Sequence, residues 1–283
     1  MPKKPHLPDK FEENLISLYL KHGSIEQVFN VTNYDLPVSF ATYHRILNKY
    51  GIVKSAGPNS RLSESLNILS LVNNYKVPLE RVYRKYAPHT LKVSTNTLHR
   101  IMHHIRLGVT RRCGAALLIS QESNKDRYLV AQDYSLSNPA LGQAGDHSLP
   151  MSHTRMQDNS YTSITRVLQQ EVFTNDCAKG SFPFRLVAKD TKPVFFINIA
   201  DIKVAVYRII FSDSYNTFSS NKLHDYSFMS FSEMLSVPLR PGVGEIVEKF
   251  EELRFMPASS ETIVINSKLN LALSELPNHH RQA

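Results

Sequence analysis

The most constraining feature of this chain is a repeat. Val38-Ser39-Phe40-Ala41-Thr42-Tyr43-His44-Arg45-Ile46 returns as Val93-Ser94-Thr95-Asn96-Thr97-Leu98-His99-Arg100-Ile101, and Ile25-Glu26-Gln27-Val28-Phe29 returns as Leu79-Glu80-Arg81-Val82-Tyr83. The offsets are 55 and 54 residues. Two matched segments at nearly one spacing point to a helical module used twice. Within the first copy, Phe11, Leu15, Leu18 and Tyr19 fall at helical spacing across 11–22. Gly23 is placed to end that helix. Ser24 is placed to cap a second helix over 24–31, and Ser39 a third over 39–50, which Gly51 stops. The stretch Ser-Ala-Gly-Pro-Asn-Ser at 55–60 has turn composition and separates the copies. Copies of about 45–50 residues are small for independent stability, so they are expected to pack on each other or on the rest of the chain.

The third helix of each copy separates apolar from polar residues. Tyr43, Ile46, Leu47 and Tyr50 form an inward row in the first, as do Leu98, Ile101, Met102 and Ile105 in the second. Outward are Thr42, His44, Arg45, Asn48 and Lys49, and, in the second copy, Thr95, Asn96, Thr97, His99, Arg100, His103 and His104. Such side chains donate to phosphates or read base edges, and a helix of this width fits the major groove. The charge agrees. Residues 1–112 hold 17 of the 33 Lys and Arg but 7 of the 25 Asp and Glu, a net of +10 against −2 for the remainder, which suggests a polyanion partner for this half. His103 and His104 are adjacent and do not share a helix face, so they are read as surface residues and not as an ion site. Three short helices with the last two joined by a turn is the helix-turn-helix plan. Residues 9–112 resemble the tandem helix-turn-helix regions of bacterial transcription regulators, with modules expected at 9–54 and 61–112.

The second half reads as strands. Cys113–Ile119 is an apolar run, and Tyr128–Gln132, after a polar turn, is expected to pair with it. Asn138–Asp146 reads as loop. The segments 193–199 and 203–211 are rich in β-branched and aromatic residues and are expected as long strands. A short helix is expected at 230–235 and a final one over 244–253. The tail, 256–283, offers a strand at 262–265 and a helix over 269–276; it reads as a dimer arm, a cover for the domain, or a partly disordered end.

Between these strands lies Ser148–Thr174, which resembles the Nudix box: Gly, five residues, Glu, seven residues, then Arg-Glu-aliphatic-any-Glu-Glu-any-Gly-aliphatic. Arg166 falls on the box arginine, Leu168 on its aliphatic position and Glu171 on the last glutamate. Ser152 stands at the first glycine, Asp158 at the first glutamate, Val167 and Gln170 at the other two glutamates, and Phe173 at the closing glycine. The resemblance covers residues 111–255 and implies an α/β/α sandwich with a mixed sheet, and a loop-helix-loop that holds magnesium to hydrolyse nucleoside diphosphate derivatives. Positions 167, 170 and 171 share one helix face. Magnesium takes oxygen ligands, chiefly carboxylates and substrate phosphate, and this face retains only Glu171. Ile164, Val167 and Leu168 supply an apolar stripe for packing. Without metal the pocket could still hold a phosphate-bearing ligand, with His153, Arg155, Arg185 and Lys189 as candidate contacts.

The expected molecule is multidomain, all-α then α+β: a DNA-binding transcription regulator with a degenerate Nudix-like domain at 113–255 used for ligand sensing or dimerisation. No catalytic residue, metal or cofactor is expected, magnesium entering only if the box were active. The expected partners are double-stranded DNA and a nucleotide-like effector, with a homodimer as one arrangement open to it. Charged, Pro-rich residues at the N-terminus exclude a typical signal peptide. The absence of eighteen consecutive apolar residues and two cysteines, Cys113 and Cys177, without metal-ligand spacing fit a soluble cytoplasmic protein. The rival readings are a magnesium hydrolase with displaced ligands Asp158, Glu171 and Asp176, and a helical-repeat module that docks a protein.

Overall fold

The computed structural model describes residues 7–56, 78–86, 94–134, 144–255 and 262–274. Outside these fall 57–60 of the expected linker, the start of the second module at 61–77, Val93 of the repeat, most of the expected loop at 138–146, and the ends of the tail.

The first module is built as its local signals dictate. Helix α1 (Lys10–His22) is capped by Asp9, which accepts from the Glu12 amide, and ends at Gly23 with φ 78°, a left-handed backbone that glycine adopts without Cβ strain. Helix α2 (Ile25–Val31) is capped by Ser24 and α3 (Phe40–Lys49) by Ser39. Leu15, Ile16, Tyr19, Val28, Tyr43 and Leu47 fill the centre, and the Tyr43 hydroxyl donates to the Leu15 carbonyl at 2.5 Å. Of the expected inward residues, Phe11 is exposed and Leu18 half-buried, because Ile16 and Leu20 take the core instead. Of the second module, α4 (Leu79–Tyr86) and α5 (Thr95–Arg106) are described. Ser94 caps α5 as Ser39 caps α3, accepting from the amide three residues on, and each serine hydroxyl lies 3.0–3.1 Å from the following threonine hydroxyl.

The α/β part holds two sheets. One runs β4-β1-β6-β5-β8. Its centre is β1 (Arg112–Gln121), parallel to β6 (Ile202–Phe211) and antiparallel to β4 (Met151–Thr154). Strand β5 (Phe195–Ile199) is antiparallel to β6 and parallel to β8 (Val264–Asn266), so the sheet is mixed. The other runs β3-β2-β7, antiparallel, from β3 (Asp146–Ser148), β2 (Arg127–Asp133) and β7 (Leu223–Ser230). The expected pairing of β2 with β1 is therefore corrected. Both edges of β1 are taken by β4 and β6, and β2 crosses into the second sheet. The remaining helices are α6 (Ser160–Glu171), α7 (Thr174–Ala178), α8 (Phe231–Leu235, closed by a Ser230–Glu233 capping box), α9 (Val243–Arg254) and α10 (Lys268–Ser274).

Alternation along the strands divides the core in two. On β1, Ala115, Leu117 and Ile119 face one side with Tyr207, Ile209 and Phe211 of β6; that cluster continues through α6 and α7 into α1–α3. Ala116 and Leu118 face the other side with Val204 and Val206, in a cluster that includes α9, Leu269 of α10, and Leu79, Val82, Leu98, Ile101, Met102 and Ile105 of α4–α5. Successive side chains of a strand point to opposite faces, so the two helical pieces lie on opposite sides of the sheet layer. The apolar clusters run across the boundaries at 54 and 112, as the small size of the modules requires. The tail covers the domain: β8 extends the sheet and α10 packs on α5. No helix among the described residues is long and apolar enough to cross a membrane.

Candidate functional site

Helix α6 starts from Asn159, whose side chain caps it. Ile164, Val167 and Leu168 are fully buried, as their stripe requires. Two polar residues on the same helix are buried with them. The Arg166 guanidinium pairs with Asp158, their side chains 2% and 8% exposed. Asp158 also accepts from the Arg155 amide at 2.6 Å, and Arg166 Nε donates to the Lys54 carbonyl at 2.9 Å. This pair closes the loop of the box onto its helix. Gln169 is fully buried. Its carbonyl accepts from the Val53 amide at 2.8 Å, and its amide donates to the Gly51 carbonyl at 2.9 Å.

These bonds fasten the segment 51–55, which follows α3, along α6. Gln170 donates to the Ser55 hydroxyl at 3.1 Å, Arg155 donates to the Ser55 carbonyl at 2.8 Å, and the Ser55 amide donates to the Tyr19 hydroxyl at 2.8 Å. Gly51, at φ 66°, sits where an added Cβ would lie 2.7 Å from the Phe184 ring. The first module is thus tied to the box helix by backbone bonds on Gly51, Val53 and Lys54 and by the Ser55 hydroxyl, as well as by apolar packing.

At the end of α6 the Glu171 carboxylate is buried. Burial raises its pKa above the ordinary carboxylate range, against the nearby Lys222 ammonium and Ser220, which lower it. Lys222 Nζ lies 3.2 Å from Glu171 Oε1. Ser220 Oγ donates to the Gln170 carbonyl at 3.0 Å and accepts from the Lys222 amide at 3.1 Å, and the Tyr226 hydroxyl donates to the Glu171 carbonyl at 2.5 Å. His153 on β4 is half-buried. Burial, with Arg112 nearby, pushes its pKa down to about 4, and its Nε2 has no partner among the described residues.

The residues present do not fit magnesium. Val167 is packed in an apolar cluster, the Gln170 amide holds Ser55, Asp158 holds Arg166, and the Glu171 charge is balanced by an ammonium. A hard cation needs several free oxygen ligands. Among the described residues no group of three His, Cys, Asp or Glu could hold a metal ion. Asp176, the third displaced ligand considered, lies on α7 and accepts from Ser181 at 3.3 Å. Ser152 sits in β4 opposite Ala115. Arg155 and Lys189 are exposed. Arg185 donates to the Tyr215 hydroxyl at 3.2 Å, at the rim of a cleft of about 400 Å³ floored by Phe173.

On α3 the outward residues Thr42, His44, Arg45, Asn48 and Lys49 are all exposed. Burial and the nearby Lys54 charge lower the His44 pKa, so its imidazole is neutral near pH 7. Lys49 is tied to Glu12 at 2.7 Å. On α5, Asn96, Arg100 and His103 are exposed, whereas Thr95, Thr97 and His99 are half-buried. His99 pairs with Glu80. The His103 and His104 rings stand 6.0 Å apart.

The sequence reading missed Lys222, Gln169, Ser220 and the 51–55 segment. Arg166 and Gln169 lie on the polar side of α6 with Thr162, Ser163 and Gln170, opposite the stripe of Ile164, Val167 and Leu168, so nothing in the helix pattern signals that the segment covers them.

No protein-family model matches the sequence, and no curated protein matches it. Among solved structures, the MutT protein from Methanosarcina mazei Go1 is similar at 13% identity, over 52% of this chain and 98% of that one, with a TM-score of 0.37. An ADP-ribose pyrophosphatase from Streptococcus suis is similar at 14% identity over 56% and 99%, with a TM-score of 0.36. A Nudix hydrolase from Nitrosomonas europaea is similar at 10% identity over 56% and 80%, with a TM-score of 0.40. Likeness at this level assigns no activity or substrate to this chain.

Proposed function

We propose that this chain is a sequence-specific DNA-binding regulator whose α/β part is a Nudix-like domain without a metal site, serving as the mount for the reading helix and as a sensor of a nucleotide-like ligand. The observation that carries the reading is α3. Tyr43, Ile46 and Leu47 of its inward row are buried while Thr42, His44, Arg45 and Asn48 stand outward on a capped helix, within a half of net charge +10. Base edges are read by such donors and phosphates are held by cations. The mount is supported by the 51–55 segment along α6, and the loss of hydrolysis by the engagement of Asp158, Arg166, Gln170 and Glu171 at the box positions with protein partners.

The test is selection of bound fragments from a random DNA library with the full chain, followed by affinity against salt. Enrichment of one sequence with a falling log K against log[salt] supports the reading. Salt-dependent binding without enrichment leaves phosphate contact alone. Absence of binding at low salt, or magnesium-dependent turnover of nucleoside diphosphate derivatives abolished in Glu171→Gln, overturns it.

A further inference from the structure

We infer that DNA is read by α3 alone, one reading face per chain, and that the repeated helix α5 is a structural copy that closes the far side of the core. This rests on the DNA-binding reading above and deepens it.

The first ground is placement. The α1–α3 helices share a cluster with one face of the sheet layer and α4–α5 with the other. Tandem reading helices enter the major groove from one side of a duplex, spaced by a helical turn of DNA or its multiples. Two helices separated by the sheets and their covering helices cannot both face one side, so a duplex that meets α3 is screened from α5 by the core itself.

The second ground compares the copies residue by residue. Glu80 and His99 correspond in the repeat to Glu26 and His44. His99 is bound to Glu80, whereas Glu26 and His44 are both exposed and, among the described residues, no bond joins them. Arg100 donates to Thr97 at 3.3 Å. The part-exposed Glu80 carboxylate beside the α5 row repels phosphate, and Thr95, Thr97 and His99 of that row are half-buried. On α3, Thr42 is bonded to the Ser39 hydroxyl as Thr97 is to Ser94, and Lys49 is held by Glu12; His44, Arg45 and Asn48 are the exposed row that meets DNA.

The third ground is cover. The C-terminal helix α10 packs on α5. Ser267 caps that helix, and Asn270 fixes it to the backbone of Ala200 through bonds of 2.5 and 3.0 Å. Helix α5 is therefore built into the core from both sequence directions. It follows that a two-part operator is bound by two chains, each contributing one α3.

The experiment uses the full chain and the fragment enriched from the random library. Arg45→Ala and Asn48→Ala are each expected to weaken binding to it by about ten-fold or more, the scale of a base-edge contact. Arg100→Ala and His103→Ala are expected to stay within about two-fold, since neither meets DNA. Thermal melts of all four confirm folding, and a footprint is expected to show one protected half-site for each bound chain. Equal losses from Arg100→Ala, or two half-sites protected by a single chain, overturn the inference and leave the regulator reading standing. Absence of an enriched fragment overturns both.

Discussion

Glu171 is buried at the end of α6 and its carboxylate meets the ammonium of Lys222, whose side chain is 33% exposed. Removing the ammonium leaves a buried charge unpaired. Lys222→Met is expected to cost about 2 kcal/mol, below the roughly 3–5 kcal/mol of fully buried pairs because this lysine reaches solvent. A urea midpoint measures it, and the double variant with Glu171→Gln should recover most of the loss. The pH dependence follows from the direction of the shift. With its folded pKa raised by burial, Glu171 binds its proton more tightly in the folded state than in the unfolded one. Its contribution is thus fully present below the unfolded pKa and is lost as pH rises through the folded pKa. Glu171→Gln should flatten stability against pH just above the ordinary carboxylate range, and Lys222→Met should steepen it. An unchanged profile in both variants would remove Glu171 from this role.

At the scale of elements, the 51–55 segment depends on side chains from α6. Gln169→Leu strips partners from the Val53 amide and the Gly51 carbonyl, and is expected to cost about 1–3 kcal/mol with faster hydrogen exchange at Val53. Gly51→Ala combines a left-handed backbone with a Cβ 2.7 Å from the Phe184 ring; it should lower the melting temperature, and a neutral result would mean that Phe184 moves aside. Helix limits were legible in the sequence because they are local events: Asp9 and Gly23, Ser24, Ser39 and Ser94 act within four residues of what they cap. The inward rows of α3 and α5 were legible for the same reason, since periodicity records burial. Strand partners were not. Nothing within β2 says that β4 and β6 hold both edges of β1. Nor was the Lys222–Glu171 pair, whose members lie 51 residues apart and meet only through the paths of α7, β5 and β6. Arg166 and Asp158 were aligned as box positions, and the structure adds that their alignment is a buried ion pair.

Across the whole molecule, helices from the first half complete the core of the second. The two apolar clusters each contain strands of the α/β part together with helices of one copy. Unfolding is therefore expected as one cooperative transition, with calorimetric and van 't Hoff enthalpies equal; separate transitions would mean that the copies fold alone. Removal of residues 1–56 should bare the outer face of α6, measurable as increased binding of a hydrophobic dye. The attachment of α3 has a mechanical consequence. Its C-terminal end is anchored to α6 through 51–55, while its N-terminal end is held within the module, Phe40 stacking on Phe29 and the Tyr43 hydroxyl bonding the Leu15 carbonyl, so α3 moves together with α1 and α2. A ten-residue helix is about 15 Å long, so a tilt of the module by about 10° at the anchor swings the far end of α3 by roughly 2.5 Å, close to the length of a hydrogen bond. The module is a lever with its fulcrum on α6, and under the DNA-reading proposal above a side-chain rearrangement along α6 is enough to bring the tip of α3 into register with a base edge or take it out.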